Sequence, residues 1–370
     1  MMQNLAILAD VQEINHNKID KGLCNDTNSH VSINSNKKSQ KENKINSLKE
    51  NDVFKKCQNE QYGNKSFDGE DYEYEKLRQL CSYDDAPVHL KHNPYIRDGY
   101  RKELPTVLCI ESIFWWTNET INIWSHLFGW ILFLCISYTD IKFLSEHASY
   151  VDKIIVGCLL FCFQMCLILS TVYHTFSCRS AKDYSCFLSF DLFGIALSLL
   201  AIFISGIYYA FWCQNTLRNF YVFSVCIIFT AAMILQLPWL NIDDNVKMVA
   251  LLGWAIYGIV PTCHWYFEMG GTESQMVQLF IPRVIGMYLL TGIAFLIYAA
   301  RIPERWFVGK MDYFGHSHNW WHFLVLLALY YWHNSADVYF SGIMFALYMI
   351  ENGCIEDRHK CYQLLYKEIQ

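Results

Sequence analysis

Seven long apolar stretches constrain this chain more than any other feature of it. They run approximately over 122–143, 151–176, 186–213, 220–238, 246–267, 280–300 and 322–346. A helix needs about 20 mostly apolar residues to cross the hydrocarbon core of a bilayer, and each stretch is near or above that length. Charge points the same way. Residues 1–100 carry 30 of the 64 charged side chains, and the other 270 residues carry only 34. A water-facing domain of that size has about twice the density, so the second part reads as an integral membrane domain. Backbone inside lipid must satisfy its own hydrogen bonds, and apolar runs this long do so as helices. The fold class is therefore an all-α membrane protein: a seven-transmembrane-helix bundle.

The flanks differ. Residues 1–75 are rich in Asn, Lys and Ser, with no apolar period. Such a segment cannot bury enough surface to offset its chain entropy and is expected to be a disordered tail. Residues 76–120 hold enough Tyr, Leu and Val to pack on a larger body. Within them Val107-Leu-Cys-Ile-Glu-Ser-Ile-Phe-Trp-Trp116 is too short to span, and fits an interfacial helix before the first span. The bundle itself covers 121–346, followed by a short tail, 347–370. A net charge of −6 without a basic block gives no support for nucleic-acid binding. Fifteen cysteines without a CxxC pair speak against a disulfide scaffold or a zinc finger. Lys and Arg near the spans number eight on one side and seven on the other, so charge bias sets no orientation. A long polar tail without a signal peptide favours a cytosolic N-terminus and a luminal C-terminal tail.

Ionisable residues inside spans are costly and need a reason. Span 2 ends in Ser170-Thr-Val-Tyr-His174, span 3 begins with Ser189-Phe-Asp191, and span 7 begins with His318-Asn-Trp-Trp-His322. Span parity puts these three ends on one side of the membrane. His318 and His322, four apart, share one helical face. Three imidazoles at one depth suit a tetrahedral Zn2+ site with an open fourth position, and Asp191 suits an acceptor beside it. The alternative is a pair of interfacial histidines satisfied by carbonyls and lipid phosphates.

Four motifs in order carry a resemblance: Asn118-Glu-Thr-Ile-Asn-Ile-Trp-Ser-His126, Ser170-x-x-Tyr-His174, Asp191-x-x-Gly-Ile195 and Ser317-His-x-x-x-His322. Together they resemble the progestin and adipoQ receptor (PAQR) family, over about residues 80–345. Asn93-Pro-Tyr-Ile-x-Asp-Gly-Tyr100 and Pro303-Glu-Arg305 make the chain most similar to the branch that traps Raf kinase at the Golgi. The resemblance implies a cytosolic N-terminus and His174, His318 and His322 as zinc ligands, with Asp191 and Ser170 beside a water. For the Raf-trapping branch it implies a multi-pass Golgi membrane protein that tethers Raf kinase and dampens MAP kinase signalling. For the adiponectin-receptor branch it implies hydrolysis of a ceramide-like lipid amide, with Asp191 moving the proton and Ser170 supporting the oxyanion. A lipid or hormone receptor would use the same pocket for binding alone. Leu192 stands where the family often has Tyr, and residues 1–75 do not resemble the Raf-trapping N-terminal region.

Other residues read more plainly. His316 is expected to be solvent-exposed. Cys158, Cys162 and Cys166 read as a small packing stripe rather than a thiolate site. His264 and His333 read as structural hydrogen-bonding groups, and Asn93-Pro94 as a turn.

Overall fold

The computed structural model describes residues 74–351, apart from 148, 149, 212, 213, 238, 239, 241 and 243. The chain divides into two units. One, residues 8–80, is described only from residue 74, where 74–78 form a short helical segment. The tail expected to be disordered, and residues 352–370 of the C-terminal tail, lie outside the described residues.

The other unit is helical. A short helix α1 (Thr106–Glu111) runs into a 3-10 turn (Ser112–Phe114). Then come α2 (Thr120–His147), α3 (Tyr150–Phe176), α4 (Ala181–Ala210) and α5 (Asn215–Leu235). They are followed by α6 (Asp244–Tyr257), α7 (Ile259–Glu268), α8 (Gln275–Ala300) and α9 (Ser317–Glu351). Five of these, α2 to α5 and α8, are long and apolar enough to cross a membrane among the described residues. Their outward faces suit lipid: Phe161, Phe223 and Leu296 are each 60% exposed or more. Helices adjacent in sequence pack together from α2 to α6. Helix α8 packs on α9, and α9 returns to α2 and also reaches α4.

The fifth expected span is two helices rather than one. Pro261 has no N–H to give the Tyr257 carbonyl, so the helix ends at Tyr257 and restarts after Gly258. Gly258 itself is packed tightly: a Cβ there would lie 2.4 Å from the Phe203 ring. Gly194 of α4 does similar work at the α3 interface, where a Cβ would come within 3.0 Å of the Cys166 Cα. The cysteine stripe runs from exposed Cys158 through Cys162 to buried Cys166 and serves that close approach.

Residues 81–105 are pinned to the bundle. Asn93 forms the expected turn, its Oδ1 accepting from Tyr95 N at 3.2 Å. Its amide donates to Glu304 Oε1 at 2.9 Å. Asp312 accepts from the backbone N–H groups of Arg97 and Asp98 at 2.9 and 3.1 Å. Gly99 adopts φ 87°, and a Cβ there would meet the Tyr313 ring at 2.8 Å. The short α1 lies where an interfacial helix was expected, with Val107 and Phe114 at least 70% exposed. Asn118, just before α2, is buried.

Candidate metal centre

Caps near and far fix each element that carries the site. Helix α4 starts on Ser180, whose hydroxyl accepts from Asp183 N at 3.1 Å, a capping arrangement. Helix α9 starts on Ser317, whose N–H donates 2.7 Å to Glu304 Oε2 and whose hydroxyl also donates to Glu304. A carboxylate at a helix N-terminus also complements the helix dipole. The end of α3 is capped from outside. Buried Arg101 donates to the carbonyls of His174 and Thr175 and to Ser112 Oγ.

These elements bring His174, His318 and His322 together. Nε2 of His174 lies 3.2 Å from Nε2 of His318 and 3.0 Å from Nε2 of His322, and the last two are 3.3 Å apart. This is a three-histidine cluster able to hold a metal ion, and no other group of three ligating side chains converges so among the described residues. Zn–N bonds of roughly 2.0–2.1 Å in tetrahedral array set nitrogens about 3.3 Å apart, close to the spacing seen. Three ring nitrogens at this spacing either pass a proton between tautomers or hold a cation. The donor set thus fits zinc.

Asp191 is buried on the edge of a cavity of about 350 Å³, along with His174 and His318. Ser170, also buried, lies one turn before His174 on α3. Asp191 Oδ1 has no protein partner among the described residues. The rest of the cavity is mostly apolar, with Leu192, Ile195, Leu199 and Phe295 on its wall. Leu192, the departure from the family's Tyr, is thus a cavity residue.

Sequence reasoning missed several neighbours. Glu119, 8% exposed, takes a 2.7 Å hydrogen bond from His174 Nδ1. Burial pushes its carboxyl up, but His174 overrides this and holds it well below the usual carboxylate range. The Thr117 hydroxyl accepts from Glu119 N at 3.1 Å, fixing the turn before α2. His126 stacks on His322 with ring centroids 3.9 Å apart, and its Nε2 donates to the His322 carbonyl at 3.3 Å. The motif 118–126 was the signal that pointed there, although spacing alone gave its members no role. His316 corrects an expectation. It is 2% exposed, and its Nε2 donates to the Asn118 carbonyl at 3.2 Å, because the turn before α2 folds over it. Burial lowers the pKa of His316 and of His92, the latter to about 4. His264 and His333 are structural, as expected. Tyr221 Oη lies 2.7 Å from His264 Nδ1, and His333 Nε2 donates 2.6 Å to Asp140.

The haemolysin-III-related family profile matches residues 114–333, more than half of the chain and all of the cluster. The chain belongs to this family. Within it, the progestin and adipoQ receptor resemblance holds. Progestin and adipoQ receptor family member 3 of Mus musculus is 41% identical over 263 residues, covering 70% of this chain and 85% of that relative. The Homo sapiens protein of the same name is also 41% identical, with the same coverage. The adiponectin receptor protein of Drosophila melanogaster is 31% identical, covering 74% of this chain and 62% of its own. This haemolysin-III-related chain is therefore a multi-pass, receptor-like membrane protein of the PAQR group.

Proposed function

We propose that this protein is a Golgi membrane regulator that holds Raf kinase at the cytosolic face and dampens MAP kinase signalling. It does so on a seven-span bundle with a cytosolic N-terminus, in which α6 and α7 together and α9 supply the two further crossings. The 41% identity to family member 3, over 85% of that relative, carries this reading. In it, zinc is structural. His174, His318 and His322 hold the ion and tie the end of α3 to the start of α9. The kinase-binding surface is the tail with the loops beside it. The test expresses the chain in cells with tagged Raf kinase. Raf should move to the Golgi and ERK phosphorylation should fall. Deleting residues 1–80 should abolish both while zinc content stays; the cut stops at 80 because residues 81–105 pack on the bundle. Raf left in the cytosol beside Golgi-resident full-length protein overturns the tether.

A second reading, hydrolysis of a ceramide-like lipid amide, rests on one observation: the unpartnered Asp191 oxygen at an apolar cavity. Zinc, when bound, lowers the pKa of a water to about 7. Asp191 then accepts a proton and passes it to the leaving amine. Ser170 donates to the developing oxyanion. The apolar wall takes the acyl chain and keeps bulk water out. If the protein hydrolyses such amides in detergent micelles, Asp191→Asn should abolish turnover and leave zinc and Raf relocalisation in place. Loss of Raf relocalisation in a folded, Golgi-resident Asp191→Asn variant would show instead that signalling depends on the chemistry.

A further inference from the structure

The motif 118–126 has no role in either reading, yet three of its side chains reach His174, His322 and Asn319, the last between the two histidines of α9. We propose that Glu119, Asn122 and His126 form a support that fixes the orientation and spacing of the three-histidine cluster, with Glu119 the positioning residue for His174. The inference rests on the zinc reading of His174, His318 and His322.

The hydrogen bonds run in one direction only. An ionised carboxylate can only accept. Its 2.7 Å contact therefore makes His174 Nδ1 the N–H nitrogen and leaves the lone pair on Nε2, the atom that faces His318 and His322. Asn122 Nδ2 donates to the same Glu119 oxygen at 2.7 Å. That fixes the Asn122 amide so that its Oδ1 accepts from Asn319 Nδ2 at 2.8 Å. Asn319 Oδ1 in turn accepts from Gly315 N at 2.8 Å. Asn319 sits between His318 and His322 in sequence. One carboxylate thus sets the tautomer of the α3 ligand and, through two amides, the height of the first turn of α9. His126, seven residues after Glu119, completes the support on the same side of α2. Its ring lies over His322, and its N–H holds the His322 carbonyl. Carboxylate partners of metal-binding imidazoles act in this way: they orient the ring and raise its basicity.

The test uses full-length protein in nanodiscs, with zinc affinity read by chelator competition and Co2+ loading read by visible absorption. Glu119→Gln keeps shape but removes charge: its amide oxygen can still accept from His174 and Asn122, without the carboxylate's charge to raise the basicity of the His174 ring. Zinc should bind roughly tenfold to a hundredfold more weakly, the Co2+ bands should shift, and the zinc-free protein should melt near wild type. Asn319→Ala, which touches neither Glu119 nor His174, should weaken zinc binding by less and also shift the Co2+ bands. It decides the question alone if Glu119→Gln does not fold. Wild-type affinity and Co2+ spectra in both variants, or in Asn319→Ala where only that one folds, would overturn the positioning role. Folded wild type that binds no zinc would overturn the zinc reading itself, and this inference with it.

Discussion

Helix α9 carries histidines at two levels, and they are treated differently. His318 and His322 sit in its first turns with Nε2 atoms turned toward each other and toward His174. His333 lies eleven residues beyond His322, about 16 Å along the axis. It gives its Nε2–H to Asp140 of α2, and Asp152 and Tyr209 make a similar contact between α3 and α4. In these two pairs, each polar group meets a partner of opposite hydrogen-bonding character. Such a pair is complete as protein alone. At the other end, like atoms converge; Glu119 holds the His174 ring from behind, while Nδ1 of His318 and of His322 has no protein partner among the described residues. In the zinc reading proposed above, an added cation completes that set. An intramembrane histidine is thus a ligand or a strut according to what faces its free nitrogen, and residue type does not say which.

The largest effect should separate the two levels directly. His322→Ala should lose the zinc and lower the melting temperature by on the order of 10 °C. His333→Ala should keep a full complement of zinc. Metal analysis and thermal melts on both variants read this, and equal zinc loss in the two would break the distinction. Next comes the outer cap of α3. Arg101→Gln leaves the His174 and Thr175 carbonyls short of donors and should cost about 3 kcal/mol, with weaker zinc binding. A denaturation curve matching wild type would show that the cap does not hold the ligand helix. A smaller effect belongs to the deep pair. Asp140→Leu or His333→Leu alone should cost about 1–3 kcal/mol. The double variant should cost less than the sum, because no polar group is left stranded.

The smallest effect is one of pH. His316 is buried and His92 half-buried, both with lowered pKa values, so the unfolded chain binds more protons than the folded one at mildly acidic pH. Their contribution is fully present above the unfolded value near 6.5. It falls as pH drops through 6 and 5, and for His92 the loss levels off below about 4. At pH 5.5, His92 alone should remove roughly 1 kcal/mol. Melts of the zinc-free protein across pH 7.5 to 5.0 should show the slope, and His92→Phe should flatten it. An unchanged slope in that variant would assign the acid sensitivity to other groups.

Much of this was legible in the sequence. Five expected spans appear as continuous helices within a few residues of their expected ends, because apolar length and helical period are local properties. The break at Gly258 was legible too, since Pro261 forbids the bond to Tyr257, but the apolar run across it hid the signal. His174, His318 and His322 were brought to one depth by span parity alone. His316 was misread because exposure was judged from its own loop, whereas its cover comes from Asn118, 198 residues away in sequence.

Spacing along the chain, then, determined which helices form and which imidazoles share a membrane level. The tertiary structure decided their partners. Glu119 meets His174 across 55 residues and His126 meets His322 across 196, so no window of sequence contains either contact. Arg101 could have been any cation before a span until the end of α3 folded over it. A hydrogen bond depends on direction as well as distance, and direction between distant segments exists only once the helices have packed.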